Sequence, residues 1–63
     1  MSAIWPAILV VDDEKNTREG LKKFLEGHGF DVATAEGGEE ALRQMEKERP
    51  DIILVDLRMP VMD

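Results

Sequence analysis

Residues 8–14 read ILVVDDE, an aliphatic run joined directly to three carboxylates. A short, continuous aliphatic run such as 8–11 suits a β-strand that is covered on both faces, as the strands of parallel sheets are. The carboxylates then stand at the carboxyl end of that strand, where open α/β sheets bind their ligands. The sequence therefore predicts a buried strand with an acidic site at its end.

Two more strands and two helices are predicted along the chain. Residues 52–55, IILV, are a near twin of the first run, while residues 30–35, FDVATA, partly alternate and suit a more exposed strand. Two amphipathic helical patterns separate the strands, and Gly27 and Pro50 are expected to mark their ends. The residues at helical spacing are Leu21, Phe24, Leu25 and His28 in the first helix, and Ala41, Leu42 and Met45 in the second.

The order strand, helix, strand, helix, strand predicts an α/β fold with a three-stranded parallel sheet. Right-handed crossovers from a central first strand give the strand order 2-1-3 and place one helix on each face. Asp56 directly follows the third strand, so Asp12, Asp13 and Asp56 should converge at one edge of the sheet. Converging carboxylates need a cation or a proton between them, and hard oxygen ligands suit Mg²⁺.

Composition limits the classes of function that fit. The chain has 63 residues, enough for one small domain. Its net charge of −6 argues against nucleic-acid binding through this segment, which would call for a basic patch. No apolar run approaches the roughly 20 residues of a membrane span, and the start, MSAIWPA, lacks the features of a secretory signal. The absence of cysteine fits a reducing, cytoplasmic location.

Three stretches of the chain resemble the response-regulator receiver domain, the CheY-like family of two-component signal transduction. They are ILVVDDE at 8–14, GFDVATAEGGEEAL at 29–42 and PDIILVDLRMPVMD at 50–63, of which the last is the most specific. The resemblance implies a flavodoxin-like fold of five strand–helix units, of which residues 1–63 would be a partial domain with an N-terminal tail at 1–6. The wording DLRMPVMD is similar to that of regulators that control transcription.

The resemblance also implies a role for each acidic residue. Asp56 is the expected phosphoacceptor, which attacks the phosphohistidine of a partner histidine kinase. Asp13 is expected to bind Mg²⁺ directly, together with Asp56 and the backbone carbonyl of Arg58, while Asp12 acts mainly through a bound water. The implied function is a signalling module and not an enzyme.

Simpler roles compete for the same residues. Asp12 and Asp13 precede a helix, where acidic residues cap the helix and complement its dipole, and Asp56 also fits a turn at a strand end. Glu14 is expected to be solvated or to face the helix dipole. A phosphatase of the haloacid-dehalogenase type, with Asp-x-Asp-x-Thr after its first strand, does not fit, because Glu14 and Asn16 replace the second Asp and the Thr.

The 63 residues hold two of the implied strand–helix units and the third strand. The family's Thr or Ser at the end of the fourth strand and its Lys at the end of the fifth are not among them. We therefore expect impaired phosphorylation of this polypeptide. The alternative hypothesis is a structural half-domain without signalling activity, completed by self-association into a homodimer whose third strands pair antiparallel.

Overall fold

The structure, a computed structural model, describes residues 5–56. Its elements in chain order are β1 (Ala7–Val11), α1 (Lys15–Glu26), β2 (Asp31–Ala35), α2 (Gly38–Lys47) and β3 (Ile52–Val55). The strands are parallel and lie in the order β2-β1-β3, which confirms the predicted sheet. Of the tail expected at 1–6, residues 1–4 lie outside the described range.

β1 lies in the centre of the sheet and forms most of the core. Leu9 and Val10 are each 1 % exposed. In the register of the sheet, Leu9 is aligned with Ala33 of β2 and with Ile53 of β3. Because β1 is paired on both edges and covered on both faces, an unbroken aliphatic run is the sequence that its position requires.

Alternate residues of β1 point to opposite faces of the sheet, and one helix covers each face. The apolar cluster beneath α1 contains Ile8, Val10, Leu21, Leu25, Phe30 and Val32. The cluster beneath α2 contains Leu9, Val11, Ala33, Ala35, Ala41 and Met45. The predicted arrangement of one helix on each face is therefore confirmed.

Each helix buries a narrower stripe than its sequence pattern predicted. Leu21 and Leu25 pack on the sheet, but Phe24 is 61 % exposed and Leu42 of α2 is 60 % exposed. The Phe24 ring instead contacts the His28 ring in a tilted arrangement, with ring centroids 4.5 Å apart and planes inclined by 41°, and His28 Nδ1 lies 2.9 Å from the Phe24 carbonyl oxygen. Phe24 and Leu42 share the helical spacing of the packed residues but remain exposed, because each helix packs on β1 and β2 alone, and two strands cover only a narrow strip of helix surface.

The helices end where their sequence signals predicted. Gly29, just beyond α1, has a φ of 90°, a left-handed conformation that residues with a side chain rarely adopt. α2 ends at Lys47, ahead of Pro50. With 12 and 10 residues, neither helix of the described part has the length and apolar character to cross a bilayer.

β3 has little cover, although its residues are as apolar as those of β1. The exposed fractions along this strand are Ile52 43 %, Ile53 44 %, Leu54 39 % and Val55 53 %. One edge of β3 pairs with β1; within residues 5–56, no strand pairs with its other edge and neither helix packs on it. An uncharged, exposed edge strand is a surface on which another strand can pair.

Candidate metal and phosphoacceptor site

The three aspartates singled out in the sequence meet at the carboxyl edge of the sheet. Asp12, Asp13 and Asp56 each offer a carboxylate oxygen, and these oxygens all lie within 4.8 Å of one another. Asp12 is buried, Asp56 is half-buried and Asp13 is exposed. The structure thus brings together the side chains that the sequence placed at the ends of β1 and β3.

Backbone hydrogen bonds fix where these aspartates stand. The Asp12 N–H donates to the Ala35 carbonyl at 3.0 Å, and the Asp56 N–H donates to the Val11 carbonyl at 3.0 Å. Both bonds extend the sheet's hydrogen-bonding pattern one residue past a strand end. Because the central strand is tied to both neighbours at this point, the two strand ends cannot separate without breaking the sheet.

The Asp12 carboxylate is also held in orientation. The Glu14 N–H donates to Asp12 Oδ1 at 2.9 Å, a short side-chain-to-backbone turn that forms before the helix begins. Glu14 is in turn the N-cap of α1, since its Oε1 accepts from the Thr17 N–H at 3.0 Å and from the Thr17 hydroxyl at 3.1 Å. The capping role that competed for Asp12 and Asp13 therefore belongs to Glu14.

Arg18 is part of this site, and sequence reasoning missed it. Its Nη1 donates to the carbonyl oxygen of Asp12 at 2.9 Å, and its Nη2 lies 3.9 Å from Glu36 Oε2. The Arg18 side chain is only 13 % exposed. A signal was present in the sequence: the first turn of a helix disfavours cations, so an arginine there invites the question of what its charge contacts.

The donor set fits Mg²⁺ in its chemistry. Mg²⁺ prefers oxygen ligands and takes only one or two carboxylates, keeping waters in its other positions. Ligand oxygens on one octahedral Mg²⁺ stand roughly 3 to 4 Å apart, which follows from bond lengths of about 2.1 Å. The spacing within 4.8 Å is close to that range, so modest side-chain rotation would let two of the carboxylates bind one ion.

The expected backbone ligand, the carbonyl of Arg58, lies outside the described residues. The described part of the site therefore consists of the three aspartates, the capping residue Glu14 and Arg18.

The chain belongs to the response regulator receiver domain family, whose model matches residues 8–63. It is 48 % identical over 58 residues to the transcriptional regulatory protein PrrA of Mycobacterium tuberculosis. The aligned residues cover 92 % of this chain and 25 % of PrrA. It is 50 % identical over 56 residues to the alkaline phosphatase synthesis transcriptional regulatory protein PhoP of Bacillus subtilis, covering 89 % of this chain and 23 % of PhoP.

A solved structure has the same fold. The chemotaxis response regulator CheY4 of Vibrio cholerae superposes with a TM-score of 0.82 at 40 % identity, over 92 % of this chain and 48 % of CheY4. The resemblance drawn from the three sequence stretches is thereby confirmed, and so is the receiver-type fold of the described elements. The chain spans about a quarter of the length of the curated relatives it matches.

Proposed function

We propose that this chain carries the phosphoacceptor site of a two-component response regulator, in which Asp56 receives a phosphoryl group from a histidine kinase with Mg²⁺ bound beside it. The observation that carries the proposal is the convergence of Asp12, Asp13 and Asp56 in a chain of the receiver family. A turn residue or a helix cap has no need for partners from a second strand. Three converging carboxylates need a cation or a proton between them, and phosphoryl transfer uses a metal cation to neutralise charge.

In this reaction a carboxylate oxygen of Asp56 attacks the phosphorus of a phosphohistidine. The new O–P bond forms as the P–N bond breaks, and the imidazole leaves with the electron pair and takes up a proton. Asp13 and Asp56 would hold Mg²⁺ with the Arg58 carbonyl, and Asp12 would act through a bound water. When bound, the ion would neutralise charge on the transferred group. The contribution of the fold is positioning: half-buried Asp56 stays at the sheet edge through its N–H bond to Val11.

The wider partners belong to the same proposal. A histidine kinase supplies the phosphoryl group, and the location is cytoplasmic. The named relatives regulate transcription, so we assign any contact with DNA to parts of the protein other than this acidic segment, whose net charge is −6. As an isolated polypeptide of 63 residues, the chain should be phosphorylated weakly, because the implied Thr or Ser and Lys of later strands are not among them.

Phosphorylation by a small phosphodonor tests this function. The full protein that carries these residues is incubated with acetyl phosphate and Mg²⁺, and its intact mass is measured. We expect a gain of one phosphoryl group that disappears in Asp56→Asn. Asp51→Asn is the matched control, because Asp51 lies at the other end of β3, where its Oδ2 accepts from the Ala7 N–H, and an amide oxygen can still accept there. Labelling that persists in Asp56→Asn, or is absent throughout, would contradict the proposal.

A second function is favoured by the exposure of β3: the 63-residue polypeptide alone would be a self-assembling homodimer. Four consecutive aliphatic residues, 39–53 % exposed, line a strand edge that is open in the described part of the chain. A second copy offers an identical edge, and antiparallel pairing about a two-fold axis makes six strands and closes on itself. Sedimentation at low micromolar concentration should give a dimer.

Two variants make this second test specific. Ile53→Lys puts a charge on the proposed interface and should remove the dimer together with the fold. Phe24→Lys changes a residue that is more exposed but lies on α1, so the dimer should persist. A well-folded monomeric wild-type polypeptide is the result that would sink the homodimer, and it would leave the phosphoacceptor proposal untouched.

A further inference from the structure

Arg18 has one strong contact, and that contact lies on the backbone of the acidic site. The residue is in the first turn of α1, and its own N–H donates to the Glu14 carbonyl at 3.0 Å. Its side chain folds back against the loop, so that Nη1 reaches the Asp12 carbonyl at 2.9 Å. The second contact, to Glu36 at 3.9 Å, involves a carboxylate that is 74 % exposed, and such pairs contribute little.

The carbonyl that Arg18 contacts belongs to a buried residue. Asp12 is 2 % exposed, and a buried carbonyl without a donor is costly. The Asp12 N–H is bonded to Ala35 and its Oδ1 accepts from Glu14, so Arg18 supplies the remaining backbone contact. The three bonds together fix the backbone of Asp12. They therefore also fix where the Asp12 side chain and the next residue, Asp13, begin.

We propose that Arg18 is a positioning residue for the metal site: it holds the Asp12 carbonyl so that Asp12 and Asp13 keep the orientation that Mg²⁺ requires. This inference rests on the proposed Mg²⁺ site. Two effects of Arg18 oppose each other there. Its positive charge repels a divalent cation, whereas its hydrogen bond keeps the ligands in place. Mg²⁺ tolerates little departure from octahedral geometry, so loss of the hydrogen bond outweighs loss of the charge.

The opposing signs give a direct test, because a role through charge predicts tighter metal binding when Arg18 is removed and a role through positioning predicts weaker binding. Mg²⁺ affinity of the full protein is measured by calorimetry. Trp5 fluorescence does not suit this purpose, since Trp5 precedes β1 and lies at the end of the sheet opposite the aspartates. We expect Arg18→Met to raise the dissociation constant for Mg²⁺ about tenfold, which is at the lower end of the usual loss when a residue that orients metal ligands is removed.

Arg18→Lys keeps the charge but replaces the planar, preorganised fork with an ammonium on a flexible stem, which holds a carbonyl less firmly. Its dissociation constant should fall between those of the wild type and Arg18→Met. Glu36→Gln is the matched control and should change the affinity much less than Arg18→Met does, because Glu36 is 74 % exposed and solvent screens its charge. The NMR signal of the Glu14 amide, which donates to Asp12 Oδ1, should shift in Arg18→Met and stay in place in Glu36→Gln.

The possible failures are distinguishable. A wild-type protein that does not bind Mg²⁺ overturns the proposed metal site and this inference together. A wild type that binds, with Arg18→Met equal or tighter, overturns the role of Arg18 alone. If Arg18→Met does not fold, Arg18→Lys decides: affinity equal to that of the wild type counts against positioning, and weaker affinity at unchanged charge supports it.

Discussion

β1 and β3 carry almost the same sequence, ILVV at 8–11 and IILV at 52–55, in opposite surroundings. Leu9 is 1 % exposed, whereas Ile53, its partner in the register, is 44 % exposed. The two strands are neighbours in one sheet, so the difference comes from what lies around them. Both helices pack on β1 and β2, and within residues 5–56 no element covers the outer side of β3. The aliphatic residues of a strand show that it needs apolar cover on its faces. Neighbouring helices or strands must provide that cover.

The same difference has an energetic consequence. Burying an aliphatic side chain fully contributes about 1.5 to 3 kcal/mol, and β1 has gained this for four residues in succession. β3 has gained only part of it, so a layer or strand that covers β3 would stabilise the fold further. This is the physical basis for expecting β3 to associate, and three measurements test the difference between the two strands.

The largest expected effect is in the core. Leu9→Ala should lower the free energy of unfolding by about 3 kcal/mol, because it leaves a cavity between β1 and α2. Leu42→Ala is the matched control: the same substitution at a residue of α2 that is 60 % exposed should cost less than about 0.5 kcal/mol. Urea denaturation of both variants measures the difference. Equal losses of unfolding free energy would show that burial does not determine the cost of truncating these two leucines.

A smaller effect is expected where β1 ends. Asp12→Ala and Asp12→Asn both remove a charge, but only the amide can still accept from the Glu14 N–H. The alanine variant should therefore be less stable than the asparagine variant by about 1.5 kcal/mol, the upper end of the net contribution of a hydrogen bond, because the acceptor residue is buried and the bond is half-buried. At Asp13, which is exposed, the same two variants should differ by less than about 0.5 kcal/mol.

Denaturation in Mg²⁺-free buffer compares these four variants. Equal differences at Asp12 and Asp13 would contradict the assignment of Asp12 as the oriented member of the cluster. Addition of Mg²⁺ should raise the midpoint of the wild type more than that of either Asp13 variant, since a ligand that binds only the folded state stabilises it.

The smallest effect concerns the outer edge of β3. If a second copy covers β3 in the 63-residue polypeptide, tenfold dilution should lower its apparent stability by about 1.4 kcal/mol, because folding is then linked to association. The midpoint of thermal unfolding at several protein concentrations measures this. A midpoint that does not depend on concentration would show that β3 remains as exposed in solution as it is here.

Much of the site could be predicted because strand-end positions are local in the sequence. Asp12 and Asp13 follow one aliphatic run and Asp56 follows another, and parallel strands bring their carboxyl ends to one edge of the sheet. Arg18 was missed for the opposite reason. Its contact with the Asp12 carbonyl depends on how the side chain folds back from α1, which the spacing of residues along the chain does not specify.

The elements, their parallel order, the central place of β1 and the meeting of the three aspartates could be predicted from the sequence, because aliphatic runs, helical periods and strand ends are all set by neighbouring residues. The structure was needed to show which residues of each helix face the core, why Phe24 and Leu42 remain exposed, and that Glu14 caps α1 while Asp12 is held by Glu14 and Arg18. It also shows how much of β3 remains exposed beside the buried β1. Rotation of a helix and cover over a strand are set by contacts between distant segments.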